Sequence, residues 1–521
     1  MSSSRKKKAD SSFKKASPVC ATKAGEWRAG HGRYWGLLAV IAVVAFIYSL
    51  LPLGTAIQFA GDEGYELMKG LLVSKGYKLY DQIWCDQTPL FPLLLGSAFK
   101  LWGAKILVAR LIAASFGLML FGSFFWLVCE QHGRLAAFIA TFFLLASPIV
   151  LEVSVSAMQE APAFAVTLVS AIIAFRWRKK PHWMWLVLSG GIMGIALGIK
   201  LTAALVIPAV LAEISTGSQT GSIDKNRLKR LLKNAALWIG GAGLVLGTIT
   251  LFWGRGSIQV SWQTQASTTL PVGMEKPGDF PLRADMLVNH LECIVAAVAA
   301  LILIARKRQW REFVFPGILL LTTLSVHIIH RPWWMYYYLH IAIPLAWFGG
   351  FAVAEGVSWI SRIFGKRKQN LLSILSWDVV VLSVLMAVGL IRSQGRLEEI
   401  LKDLRAREST DTSPMLAEMK KYAPDTRWIY VQQGREAYAF HANLPMPPEI
   451  GVVSLKRFWS GQISNEKIVA TCAQYHPEQL FFNPSVASNL FGDYLDNYIV
   501  AEVNTNATLY LAKEVVKPTI R

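Results

Sequence analysis

Gly61-Asp62-Glu63-Gly64-Tyr65 and, fifteen residues on, Tyr80-Asp81-Gln82-Ile83-Trp84-Cys85-Asp86-Gln87-Thr88-Pro89-Leu90 lie in one connection, Gly54 to Lys105, between apolar runs at 34–53 and 106–128. Each run has roughly the twenty residues that carry a helix across a hydrocarbon core about 30 Å thick. A simple bundle of such helices needs only short links, yet this link is about fifty residues long and is itself patterned. Leu67, Leu71 and Leu72 share one face of a helical stretch ending at Lys75, and a second apolar stretch runs from Leu90 to Trp102. Two short helices lying in the membrane interface fit this pattern. They would set Asp62, Glu63 and Asp86 at the outer surface, close to lipid.

Outward from this connection, apolar runs of similar length recur at 34–53, 106–128, 135–152, 161–177, 183–199, 201–214, 234–253, 286–305, 312–329, 335–355 and 371–391. They predict an all-α polytopic membrane domain of about eleven transmembrane helices. Of the 521 residues, 53% are hydrophobic and 17% charged, against about 25% charged in soluble domains. A single soluble globule, a disordered chain and a secreted disulfide scaffold are thereby excluded. The first run is too long for a signal-peptide core and no small-residue cleavage pattern follows it, so it reads as an uncleaved span.

The net charge of +19 has a sidedness. With the N-terminal side cytoplasmic, segments 1–33, 129–134, 176–182, 215–233, 306–311 and 356–370 hold 27 Lys and Arg, whereas 54–105, 153–160, Lys200, 254–285 and 330–334 hold 10. This is the positive-inside bias, so the positive charge serves topology and contact with anionic membrane lipids rather than nucleic acid. Residues 1–33 read as a basic cytoplasmic tail, disordered by composition, and 34–392 as the membrane domain. An odd number of spans leaves 393–521 outside the cytoplasm as a small α/β domain. Its expected helices are 414–422 and 463–474, its strands 428–431 and 480–482, and 498–503 closes with 508–512 as a hairpin. The five cysteines show no zinc-ligand spacing. Cys85 and Cys472 fall on the same oxidising side, and whether they pair is left open.

The remaining charges on the extracytoplasmic side are few. Glu160 opens the fourth span in Glu160-Ala161-Pro162, where a carboxylate also suits the positive end of a helix. Lys200 lies between the fifth and sixth spans with no loop to solvate it, so it snorkels or meets an anion such as phosphate. His330-Arg331 is followed by an aromatic belt containing Tyr336 and Tyr337, and an arginine at that level can grip phosphate through two hydrogen bonds. His290 and Glu292 near the outer end of the eighth span read equally well as structural groups, and Asp378 in the eleventh has no functional account. Carboxylates and cations converging on one membrane face suit transfer of a group from a lipid phosphate to an acceptor outside the cytoplasm.

The order of these motifs resembles the GT-C glycosyltransferases, in particular their bacterial protein-mannosyltransferase-like and aminoarabinose-transferase-like branch. The resemblance rests on Asp62-Glu63, Tyr80-Asp81-x-x-Trp84-x-Asp86-Gln87-Thr88-Pro89-Leu90, Glu160-Ala161-Pro162 and Gly198-x-Lys200, over most of 34–392. It implies transfer of a sugar from a polyprenyl-phosphate donor to a hydroxyl of a lipid, envelope glycan or protein, usually with inversion. By the resemblance Asp62 is the general base with Glu63 beside it, Glu160 is a further catalytic acid, and Lys200 is a donor-phosphate ligand. Arg331, Asp86, Gln87, His330, Tyr336 and Tyr337 complete the expected donor site. Relatives often carry Lys or His where this chain has Gln87, which shifts phosphate binding onto Lys200 and Arg331. No cofactor is obligatory, though a divalent metal at Asp62 and Glu160 is compatible with the branch. The branch implies a bacterial inner membrane, with the N-terminus cytoplasmic and the C-terminal domain outside. The alternative is a transporter or flippase of lipid-linked glycans, although no two-fold internal repeat is visible.

Overall fold

The structure, a computed structural model, describes residues 23–217, 225–268, 290–330, 333–365, 377–504 and 507–516. Among these, six helices are long and apolar enough to cross a membrane: Gly32–Ser49, Ile106–Leu145, Glu160–Lys179, Leu228–Trp253, Trp310–Ile329 and Met335–Trp359. Leu90–Trp102, Trp183–Ile199 and Leu201–Thr216 are shorter apolar helices. The chain is a membrane protein built mostly of helix, as its composition predicts.

Two of the expected spans, 106–128 and 135–152, fall largely in the helical stretch Ile106–Leu145, which is not one straight rod. Gly133 sits at φ 84° and ψ 175°, a conformation open chiefly to glycine. The rings of Phe125 and Phe138 lie 5.0 Å apart, where thirteen residues of straight helix would separate them by about 20 Å. The chain therefore turns back at Gly133. At the other end of the membrane domain the helix Trp377–Arg405 outruns the expected span 371–391 and carries straight through the expected boundary at 392/393. Its polar second half keeps helical structure after the apolar run stops. The helix Leu291–Lys307 starts later than the expected 286–305. Lys23–Ser49 starts earlier than 34, inside the segment read as tail, and residues 1–22 lie outside the described ones.

Small residues let these helices approach closely. A Cβ at Gly190 would lie 2.0 Å from the Trp238 carbonyl oxygen, and one at Gly194 would lie 2.6 Å from that of Ala242. The helices Trp183–Ile199 and Lys225–Trp253 thus touch backbone to backbone, the small-xxx-small packing of membrane bundles.

Beyond Arg405 the chain forms the expected α/β domain. Four strands, β1 (Ile429–Val431), β2 (Gln479–Phe482), β3 (Tyr498–Asn504) and β4 (Ala507–Ala512), make one sheet in the order β1-β2-β4-β3. β1 and β2 run parallel, Tyr430 opposite Leu480, and the other pairs are antiparallel, with a bulge between Val500 and Glu502. Helices Pro414–Lys421 and Asn465–Tyr475 match the expected ones, whereas Glu436–His441, Leu455–Trp459 and Pro484–Phe491 were not foreseen.

This domain sits on the long connection 54–105. The Ile57 amide donates to the Glu408 carbonyl (2.8 Å) and the Thr410 amide to that of Thr55 (2.7 Å). Gly64 packs against the start of Glu436–His441, and the Tyr65 hydroxyl donates to the Val453 carbonyl at 3.3 Å. The connection does form two helices, Glu63–Ser74 and Leu90–Trp102. Asp62, Glu63 and Asp86, however, lie beneath the soluble domain rather than on an open surface close to lipid. Cys85 and Cys472 are both buried and free.

Candidate active site

Asp62 holds the N-cap position of the helix Glu63–Ser74, where an aspartate commonly accepts a hydrogen bond from a backbone amide two or three residues on. Here its side chain makes no such bond. It faces a cavity of about 110 Å³ at the junction of the membrane and soluble domains. Tyr65, Glu66 and Lys69 line the same cavity, because positions i, i+3, i+4 and i+7 share one helix face.

Glu63 is one residue on and about 100° round the helix. Its carboxylate is fully buried and points into the core. It accepts Nε and Nη2 of Arg110, each at 2.9 Å, together with the amides of Phe59 (2.8 Å) and Ala157 (3.0 Å). Arg110, equally buried, spends Nη1 on the carbonyls of Ala56 and Leu53 and lies over the Phe59 ring. The expectation of Glu63 beside Asp62 in the site is therefore corrected. It clamps the connection onto the bundle and so sets where Asp62 points.

The second wall is the loop 81–89. Tyr80, at φ 70°, donates its hydroxyl to the Gln87 carbonyl (2.8 Å), and Thr88 donates to the Leu197 carbonyl (2.8 Å). Ser261 donates to the backbone carbonyl of Asp86 at 2.8 Å. These bonds hold Asp86 and Gln87 against the cavity. The Gln87 amide donates to Asp86 Oδ2 at 3.2 Å.

The third wall comes from the ends of two apolar helices. Glu160 opens the helix Glu160–Lys179 and is 1% exposed. Lys200 follows Trp183–Ile199 with extended backbone, donates to Glu160, and lies 4.8 Å above the Tyr336 ring. The anion that Lys200 needs is thus supplied within the chain. Arg176, Arg178 and Lys179 cap the opposite end of Glu160–Lys179, about 30 Å from the cavity for its twenty residues.

Four carboxylates, Asp62, Glu66, Asp86 and Glu160, and three lysines, Lys69, Lys200 and Lys456, line the cavity. Lys69 and Glu66 pair at 2.5 Å, and Gln159 donates to the other oxygen of Glu66 (3.0 Å). Lys456 Nζ lies 3.7 Å from Asp86 Oδ2. Among the described residues no ion pair holds Asp62. Burial, and next the charge of Glu160, push its carboxyl above the ordinary range, against the opposing pull of Lys200, Lys456 and a hydrogen bond from Tyr336. Burial acts in the same direction on Asp86, but Lys456, Lys69 and Lys200 outweigh it and hold that carboxyl low. Two carboxyls of one cavity so driven apart can take different roles.

Other expected site residues are placed elsewhere. Tyr336 lines the cavity, whereas Tyr337 is buried against His327, ring centroids 5.0 Å apart. His330 caps the helix Val314–Ile329 and is not among the lining residues. Arg331 lies outside the described residues. His290 stacks on Tyr338, and Glu292 pairs with Arg396 of the helix Trp377–Arg405, so both join helices instead of entering the cavity. The side chain of Asp378 is also outside the described ones. At Asp62 and Glu160, where a divalent metal is compatible with the resembled branch, no third His, Cys, Asp or Glu completes a ligand set among the described residues, and Glu160 is held by Lys200.

Sequence reasoning missed Glu66, Lys69 and Lys456. Glu66 and Lys69 carried a signal, since their spacing of four and seven from Asp62 put them on its face. Lys456 carried none.

Residues 86–253 match the family model for dolichyl-phosphate-mannose-protein mannosyltransferases. The fold is similar to that of ArnT from Cupriavidus metallidurans in the apo state, with TM-score 0.59 and 15% identity over 94% of this chain and 100% of that one. The same protein bound to undecaprenyl phosphate gives TM-score 0.56 and 13% identity, over 92% of this chain and 98% of that one. The Archaeoglobus fulgidus oligosaccharyltransferase, in complex with zinc and sulfate, matches at TM-score 0.50 and 11% identity over 91% of this chain and 73% of that one. No curated protein sequence matches the chain. The likeness to the ArnT structures spans nearly the whole of both chains and is a likeness of fold.

Proposed function

We propose that this protein transfers a sugar from a polyprenyl-phosphate donor to a hydroxyl acceptor on the extracytoplasmic face of a bacterial inner membrane, with inversion at the anomeric carbon. The observation that carries the reading is Asp62: a cavity-facing carboxylate at a helix start, neither capping the helix nor ion-paired among the described residues, opposite a bank of lysines. In a single displacement Asp62 takes the acceptor proton, the acceptor oxygen bonds to the anomeric carbon, and the bond to the phosphate oxygen breaks. The electron pair leaves with the lipid phosphate. A carboxyl pushed upward is a better base near neutral pH than an ordinary one, and fixed ammonium groups stabilise the charge that develops on the phosphate. Glu160 holds Lys200 in place for this and does not itself move a proton. The undecaprenyl phosphate bound in the ArnT structure supports a lipid phosphate as the leaving group here.

The test is release of free polyprenyl phosphate from a panel of polyprenyl-phosphate sugars in liposomes, wild type against Asp62→Asn. Release by the wild type that falls about 10²–10⁴-fold in the variant, the range for loss of a positioned base, supports the reading. Accumulation of the intact lipid-linked glycan in vesicles with no released phosphate would make the protein a transporter.

A further inference from the structure

Resting on that donor reading, we propose that Lys456, in the soluble domain, binds the donor phosphate, so that the donor site is completed only by the C-terminal domain. Lys69 and Lys200 are each bonded to a glutamate, Glu66 and Glu160. Lys456 Nζ is 3.7 Å from Asp86 Oδ2, an ion pair too long to be a hydrogen bond. Its N–H groups therefore remain available among the described residues, with the ammonium facing the cavity and 5.8 Å from the Trp334 ring. In the first connection the residue after Asp86 is the neutral Gln87, whose amide is already turned onto that carboxylate, and the nearby Lys69 is bonded to Glu66. When the bond to the anomeric carbon breaks, the phosphate oxygen gains a negative charge, and an uncommitted ammonium is the group that meets it.

The segment that presents Lys456 is fixed for this purpose. Gln462 accepts the Trp84 indole N–H and donates to Thr264 at 3.1 Å. The Arg457 guanidinium lies 5.4 Å over the Trp84 ring and donates to the Val452 carbonyl at 2.8 Å. The lysine is thus braced from both the loop 81–89 and the helix Ser257–Thr268, and at 9% exposure it is not a surface group.

The experiment measures binding of undecaprenyl phosphate and of unphosphorylated undecaprenol to the full chain in nanodiscs. Lys456→Ala should weaken undecaprenyl phosphate about tenfold or more, the loss of one charge-assisted contact, and leave undecaprenol unchanged. Lys456→Arg should stay within about threefold of wild type. Asp86→Asn combined with Lys456→Ala should remain as weak as Lys456→Ala alone. Recovery in that double variant would show that Lys456 only neutralises Asp86, and equal loss of both lipids would show that it only supports the fold. Wild-type affinity for the phosphate in Lys456→Ala would also overturn the proposal while leaving the donor reading standing. No binding of undecaprenyl phosphate by wild type would overturn both.

Discussion

Asp62 and Glu63 are adjacent carboxylates for which opposite phenotypes are expected. Glu63 and Arg110 form a fully buried pair with two 2.9 Å bonds, and Glu63 also accepts two backbone amides. Glu63→Ala leaves the guanidinium charged, buried and short of both bonds, a loss of about 3–5 kcal/mol for breaking a buried pair from one side. Whole-domain stabilities are about 5–15 kcal/mol, so the variant should yield little monodisperse protein and a markedly lower melting temperature. Asp62→Asn removes a carboxylate that burial disfavours. A carboxyl whose pKa is raised by folding lowers stability at pH above that pKa and regains it as pH falls. At neutral pH, Asp62→Asn should therefore melt at or above wild type while losing turnover about 10²–10⁴-fold. The assay is intrinsic-fluorescence melting and size-exclusion profile in detergent, beside polyprenyl-phosphate release. Glu63→Ala melting like wild type yet inactive would refute the division of labour, as would Asp62→Asn with undiminished release.

Tyr336 donates to Asp62 and draws its carboxyl down, so Tyr336→Phe should move the acid limb of the pH–rate profile for release to higher pH; an unmoved limb would remove Tyr336 from contact with the base. Burial raises the Glu436 carboxyl to about 8, so the folded state gains stability as pH falls below about 8. Glu436→Gln should then melt above wild type at pH 9, with the gap closing toward pH 6, as read by melting across that range. Gly190→Leu places a side chain where a Cβ alone would be 2.0 Å from the Trp238 carbonyl, and should separate the two helices and lower the yield of folded protein; normal yield and melting would contradict that packing. Because Cys85 and Cys472 are free, electrophoretic mobility should be the same with and without reductant.

A residue is legible in the sequence where its charge stands out against an apolar background. Asp62, Asp86, Glu160 and Lys200 were legible because a charge near the bilayer is costly and therefore has a partner or a task; all four line the cavity. The helical spans were legible for the same reason in reverse, from uninterrupted apolar length. Glu63 was misread because chain adjacency was taken for spatial adjacency. One helical step of about 100° sends Asp62 to the cavity and Glu63 to Arg110, and only the docking of the helix Glu63–Ser74 decides which goes where. The boundary expected at 392/393 falls inside a helix for a related reason. The change from apolar to polar composition marks where the lipid ends, not where the helix ends, and Trp377–Arg405 continues beyond it.

What stayed hidden has one physical source. Glu66 and Lys69 three residues apart look like an ordinary pair on a solvated helix, worth a few tenths of a kcal/mol. A lysine in a soluble domain such as Lys456 attracts no notice, since it costs nothing while it faces water. Both readings change once the soluble domain is placed on the first connection. The Tyr65–Val453 bond and the Trp84–Gln462 bond close the cavity, the side chains beneath lose their water, and each charge then needs a counter-charge in reach. Glu66 finds Lys69, Glu160 finds Lys200, and Asp86 is left with Lys456 at 3.7 Å. Asp62 is left without a partner ion among the described residues. Pairing within the cavity is thus what singles out Asp62 and, among the described residues, the one loosely held cation, and it arises from contacts between residues almost four hundred positions apart.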